Sequence, residues 1–120
     1  MKLELFSFGR KYGLPEADLI LDVRCLENPF WVPVLREKNG LDREVRAYIL
    51  ERSGEYLERL TGLLTLHARL AEGRNCECLR IAVGCTGGRH RSVCVAELLG
   101  EMFRKLGYEI KLTHRDIHRG

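Results

Sequence analysis

The groups in this chain that could do chemistry crowd into one stretch, "GCTGGRHRS" at residues 84–92. Three glycines in nine positions build a poor core, but they suit a backbone that must turn sharply and bring N–H groups together. Arg89 and Arg91 add charge-assisted donors. Ser92 can cap a following helix or donate to an anion, and Cys85 adds a thiol. Taken together, Cys85, Thr86, Gly87, Gly88, Arg89, His90, Arg91 and Ser92 describe an anion cradle, with phosphate as its natural occupant. His90, flanked by two arginines, is expected to stay neutral until an anion binds and then to contact it.

Such a cradle needs a helix N-terminus behind it, and the neighbouring pattern predicts one. "LRIAVG" (79–84) reads as a strand. From about Arg91 to Leu106, apolar residues recur at spacings of three and four, and Gly107 ends the run. The loop therefore joins a strand to a helix, where unpaired N–H groups and the helix dipole favour an anion. Further strands are expected at 3–8, 19–23 and 108–113. Asp42 can cap a helix over about 43–52, and "EYLERLTGLLTLHARLAEG" (55–73) reads as a second, stronger helix. Residues 28–40, with two prolines and a closing Asn-Gly, read as a long ordered loop pinned by Phe30 and Trp31. "HRDIHRG" reads as a polar tail. The expectation is an α/β fold: one compact domain over 1–120, a mixed sheet of about four strands with helices, and the phosphate-binding loop between a strand and a helix.

Two chemistries remain open for the loop. Cys85 to Arg91 fits C-x5-R followed by serine, the phosphate loop of cysteine-dependent phosphatases. In that chemistry a thiolate at a helix N-terminus attacks the phosphoryl group that the arginine grips. An acid must then protonate the leaving group, and Asp22 and Asp116 are the aspartates in contention. In the other chemistry the loop only binds, and Cys85 merely lines it.

Composition narrows the class. There is no apolar run of about 18 residues to span a membrane, and "MKLELFSFGRKYG", with charges inside its apolar part, does not read as a secretory signal. Five cysteines at irregular spacing, without a C-x-x-C pair, disfavour a disulfide framework or zinc ribbon. The chain reads as cytoplasmic, with free thiols. His114 and His118 lack a further obvious ligand, so no metal is expected. Residues 1–77 hold 12 Lys/Arg and 13 Asp/Glu, whereas residues 78–120 hold 8 and 4. The second part is thus a candidate surface for an anionic partner.

Four blocks carry a family resemblance: "SFGRKYGLPEADLILDVRCLENPFW", "VPVLREKNGLDREVRAYIL", "IAVGCTGGRHRSVCVAELL" and "GYEIKLTHRD". In order and spacing, over nearly the whole length, they resemble the C-terminal domain of the RapZ (YvcJ) family of RNase adapter proteins. The resemblance implies a non-catalytic regulatory module without a cofactor. Such a module senses glucosamine-6-phosphate, binds RNA, helps present a small regulatory RNA to an endoribonuclease, and self-associates as a homo-oligomer (dimer). It also implies likeness to part of a phosphofructokinase, in keeping with a sugar-phosphate pocket. The pocket maps onto residues 85–92, with Asp22, Arg24 and Asn28 at the sugar end. An amino sugar is a cation, so Asp22 is its natural partner; the alternative for Asp22 is an internal ion pair with Arg24. The RNA surface maps onto Arg104, Lys105, Lys111, His114, Arg115 and Arg119. The family's P-loop domain has no counterpart here, since no G-x-x-x-x-G-K-[ST] occurs, and ATP or GTP binding is not carried over. The chain departs from the pattern at Phe30, where relatives have histidine or tyrosine, and at Arg10, where they have an aromatic. Trp31 and Tyr12 read as core or loop anchors, with base stacking as the alternative.

Overall fold

Strand β1 (Lys2–Gly9) buries both of its faces because it runs through the middle of the sheet. Leu3 and Leu5 point to one side and Phe6 and Phe8 to the other, as the two-residue period of a strand dictates. The computed structural model describes residues 1–119. The other strands are β2 (Leu19–Asp22), β3 (Cys78–Cys85) and β4 (Glu109–His114), in the order β2-β3-β1-β4. All three pairings are parallel, so the sheet is parallel rather than mixed. Each connection carries the chain back to the end where it started: a helix does so after β2 and after β3, and the 10–18 segment does so after β1.

Helices α1 (Arg43–Gly73) and α2 (Arg91–Lys105) cover the Leu3/Leu5 face. There Val45, Ile49, Leu57 and Leu64 of α1 join Val95, Leu99 and Phe103 of α2 in one core with Leu79, Ile81 and Val83. The two helices expected over 43–52 and 55–73 are one helix with a kink. Ser53 breaks the helical dihedrals (φ −131°, ψ 21°), at a Ser-Gly pair of the kind that bends helices. Asp42 precedes α1 but does not cap it; its carboxylate accepts from the Asn39 N–H at 2.8 Å instead.

The opposite face of the sheet carries Phe6, Phe8 and Ala82, with Ala17 of the 10–18 segment packed on them. The guanidinium groups of Arg80 and Arg115 lie over the Phe6 and Phe8 rings. Two local expectations are corrected. The 28–40 loop is held by buried Leu26, Pro29 and Leu35 and not by its aromatic pair, since Trp31 is 72% exposed and Phe30 41%. Of the expected polar tail at 114–120, residues 114–119 are no free tail, because Asp116 and Ile117 are buried; Gly120 lies outside the described residues. No helix among the described residues is long and apolar enough to cross a membrane.

Candidate functional site

The carboxyl ends of β1 and β3 lie side by side, with Gly9 opposite Cys85. From β1 the chain departs toward β2, and from β3 it departs through α2 toward β4 on the other side. Parallel sheets open a ligand crevice where successive connections diverge in this way. A cavity of about 360 Å³ lies there, large enough for a small phosphorylated molecule. Its floor is Cys85, Thr86, Gly87, Arg89, His90 and Arg91.

Backbone packing shapes that floor. Gly88 has a φ of +76°, and a Cβ there would lie 2.6 Å from the Gly9 nitrogen. Only glycine lets the loop press against the end of β1. Gly87, by contrast, has nothing within 4 Å of a would-be Cβ and opens into the cavity. The loop's carbonyls are used by the protein: Thr86 accepts from the Lys11 N–H at 3.2 Å and Arg89 from the Gly40 N–H at 2.7 Å. The N–H groups of Thr86, Gly87, Gly88, Arg89 and His90 donate to no acceptor among the described residues. The carbonyls are thus tied back while consecutive N–H groups are left unused at the start of α2, the pattern of backbone donors that suits an anion.

Arg91 is 5% exposed. Its Nη1 donates to the carbonyls of Arg24 (2.8 Å) and Leu26 (3.2 Å), and its Nε is buried without a partner among the described residues. The Cys85 thiol donates to Ser92 Oγ at 3.2 Å. Ser92 is fully buried, and the residue at the N-cap of α2 is His90. Ser92 therefore orients the thiol and neither caps the helix nor faces the cavity. Cys94, two residues further on, is an inert core thiol, its pKa pushed up to about 12 by burial.

His90 Nε2 donates to the Leu35 carbonyl at 3.2 Å and so holds the 35–38 turn against the loop. Burial pushes its pKa below the ordinary 6.5 and outweighs the Leu35 carbonyl, which favours the charged form; the Arg89 charge adds to the lowering. The folded protein thus binds the His90 proton less readily than the unfolded chain. Stability from this site is complete above 6.5 and falls as pH drops from there toward the lowered folded value. Thermal melts from pH 7 to about 5.5 should show a smaller loss for His90→Asn than for the natural chain. Equal losses would put the pH dependence elsewhere.

The remaining candidates divide. Asn28 lines the cavity, and its Oδ1 accepts from the Phe30 N–H at 3.2 Å. Asp22 and Arg24 do not line it. They form a two-pronged pair at the surface, 2.6 Å at its shortest, and that hydrogen bonding draws Asp22 down to about 2. Asp116 is fully buried. Burial alone would raise its pKa, but hydrogen bonds from Arg115 and the Gly9 N–H, with the charges of Arg115 and Arg119, leave it lowered. Neither aspartate is held as a protonated acid.

The six basic positions of the expected RNA surface are also split. Arg119 reaches the cavity, held by Asp116 at 3.0 Å. Arg115 is spent on Asp116 and the Gly13 carbonyl, and His114 on Ser7 and Glu97. Exposed Arg104 and Lys105 end α2 at the amino end of the strands, away from the cavity, and exposed Lys111 lies on edge strand β4. The sequence reading missed Lys11, Phe30 and Trp31 as cavity residues. For Lys11 there was a signal, since it lies just beyond the carboxyl end of a strand.

The family model described as the RapZ C-terminal domain matches residues 1–118. The chain is 45% identical over 125 residues to a protein named "nucleotide-binding protein" from Geotalea daltonii. It is 47% identical over 122 residues to one so named from Desulforapulum autotrophicum, and 46% over 125 residues to one from Saccharopolyspora erythraea. These matches take in 98–100% of this chain and 42–43% of the relatives, so the chain spans less than half their length.

Proposed function

The chain belongs to the RapZ C-terminal domain family, and on that premise we propose that it is a non-catalytic regulatory module that binds the phosphate of a phosphorylated sugar. The observation that carries this reading is the run of unused N–H groups from Thr86 to His90, beside a buried Arg91 whose Nε has no partner among the described residues. An anion in the adjoining cavity completes both. The phosphorylated sugar is glucosamine-6-phosphate, the ligand that the family resemblance implies. RNA binds along the exposed basic positions, and the module serves as an RNase adapter within a homodimer. The nucleotide binding in the relatives' names is not assigned to a P-loop here, because this chain has none.

The phosphatase alternative has its thiol and its arginine, but its two aspartates are held as carboxylates in ion pairs. Calorimetry with glucosamine-6-phosphate separates the readings. We expect a saturable heat that returns to baseline, with no free phosphate released. Cys85→Ser should bind within a few-fold of the natural chain, because serine keeps a small donor beside Ser92. A sustained heat with phosphate release, abolished by Cys85→Ser, would instead identify Cys85 as a nucleophile.

A further inference from the structure

Trp31 is the only tryptophan in the chain, and at 72% exposed it stands on the rim of the anion cavity. Burying so large an apolar ring is favourable, and the fold leaves it in water. Its neighbours are placed otherwise. The Phe30 ring has the Arg36 guanidinium over it at 5.0 Å, and the Tyr12 ring has Arg119 at 4.9 Å and Lys11 at 5.2 Å. No cation among the described residues lies over the Trp31 ring. Phe30 meets Trp31 at 5.1 Å with the ring planes 84° apart, a contact that steadies the indole while leaving it exposed. The Asn28 cap and the Arg36 Nε bond to the Phe30 carbonyl at 2.9 Å fix the backbone beneath the pair.

The charges around the cavity have one sign. Lys11, Arg89, Arg91 and Arg119 line it, and no carboxylate does among the described residues. A phosphate nest, further cations and an open indole face at one mouth match a ligand with a phosphate at one end and a flat ring at the other. Stacking on an aromatic side chain is how proteins hold a nucleobase whatever its sequence. We infer that this cavity takes a nucleoside 5′-phosphate, free or as the 5′-phosphorylated end of an RNA strand, with its phosphate in the 86–90 nest and its base on Trp31. This rests on the reading of the loop as a phosphate site and adds a second ligand, which competes with the sugar phosphate for the same loop.

Because Trp31 is the sole indole, its fluorescence reports the stacking directly. The purified chain is titrated with ribose 5-phosphate, adenosine 5′-monophosphate, and a short oligoribonucleotide with and without a 5′-phosphate, and affinities are read by calorimetry in parallel. The inference expects quenching by the mononucleotide, by the 5′-phosphorylated strand or by both, and binding at least about fivefold tighter than ribose 5-phosphate. Quenching by only one of the two identifies the source of the ligand. Trp31→Ala should bring the tighter ligand down to the affinity of ribose 5-phosphate. The inference is overturned if ribose 5-phosphate binds while the base-bearing ligands bind no tighter and leave the fluorescence unchanged. It is overturned equally if the strand binds alike with and without its 5′-phosphate and the mononucleotide leaves the fluorescence unchanged. If ribose 5-phosphate and inorganic phosphate also fail to bind, the phosphate-site reading falls with it.

Discussion

Replacing Arg91 with alanine is expected to abolish binding of glucosamine-6-phosphate and to lower stability at the same time. One guanidinium serves two jobs. Through Nη1 it holds the carbonyls of Arg24 and Leu26, which fixes the 24–26 segment to the start of α2. Its charge, 5% exposed, lines the cavity beside the unused loop N–H groups and is offered to an anion there under the proposed reading. Removing it strands two acceptors at about 1–3 kcal/mol each where water cannot replace the donor. It also deletes a charge-assisted contact to phosphate, a loss of about 2–4 kcal/mol or some 30- to 1,000-fold in affinity. Arg91→Lys should keep the charge but lose the Nε donor and the planar donor set of the guanidinium, giving an intermediate melting temperature and weakened binding. Circular dichroism melts and calorimetry on the same samples check both effects. An Arg91→Ala protein that is folded and still binds glucosamine-6-phosphate at the natural affinity would remove Arg91 from the site.

The second large effect separates two adjacent glycines. Gly88→Ala forces a side chain into positive φ and drives its Cβ to 2.6 Å from the Gly9 nitrogen and 2.9 Å from the Phe8 carbonyl carbon. Both obstacles are backbone of the central strand, so neither can step aside as a flexible side chain would. Positive φ alone costs about 1–2 kcal/mol, and displacing packed backbone adds about 1–3 kcal/mol. We expect Gly88→Ala to lose about 2–5 kcal/mol of unfolding free energy in urea, a large share of what a domain this size possesses. Gly87→Ala meets nothing within 4 Å and needs no positive φ. Its stability should stay within about 1 kcal/mol, while its new methyl group, facing the cavity, weakens binding of the phosphate. Equal destabilisation by both changes would mean that the loop is not pressed against β1.

Much of this protein was legible in its residues. Strands at 79–84 and 108–113 and the helix from Arg91 could be read because apolar residues recur at the strand and helix periods. The break between 52 and 55 could also be read, because Ser53 and Gly54 are poor helix formers; only the packed structure shows that the chain bends there without leaving the helix. The loop's placement was legible for the same local reason: a glycine-rich stretch lies between a strand pattern and a helix pattern, all within a few residues of one another.

What depends on distant partners was not legible. Parallel pairing of every strand follows from which way each connection returns. The fate of Asp22 and Asp116 follows from the arginines that reach them, and Asp116 is buried because Gly9, more than a hundred residues earlier in sequence, presents it an N–H at 2.7 Å. The basic positions of the C-terminal part look alike in sequence, yet packing sends Arg119 to the cavity, consumes His114 and Arg115, and leaves Arg104 at the other end of the sheet. Trp31, a core or anchor residue by its type, stands in water because Pro29, Leu26 and Leu35 already hold its loop. By itself the sequence determined the local grammar of the 84–92 loop. The tertiary structure decided which charges remain free to use it, because pairing energies depend on contacts that no local window contains.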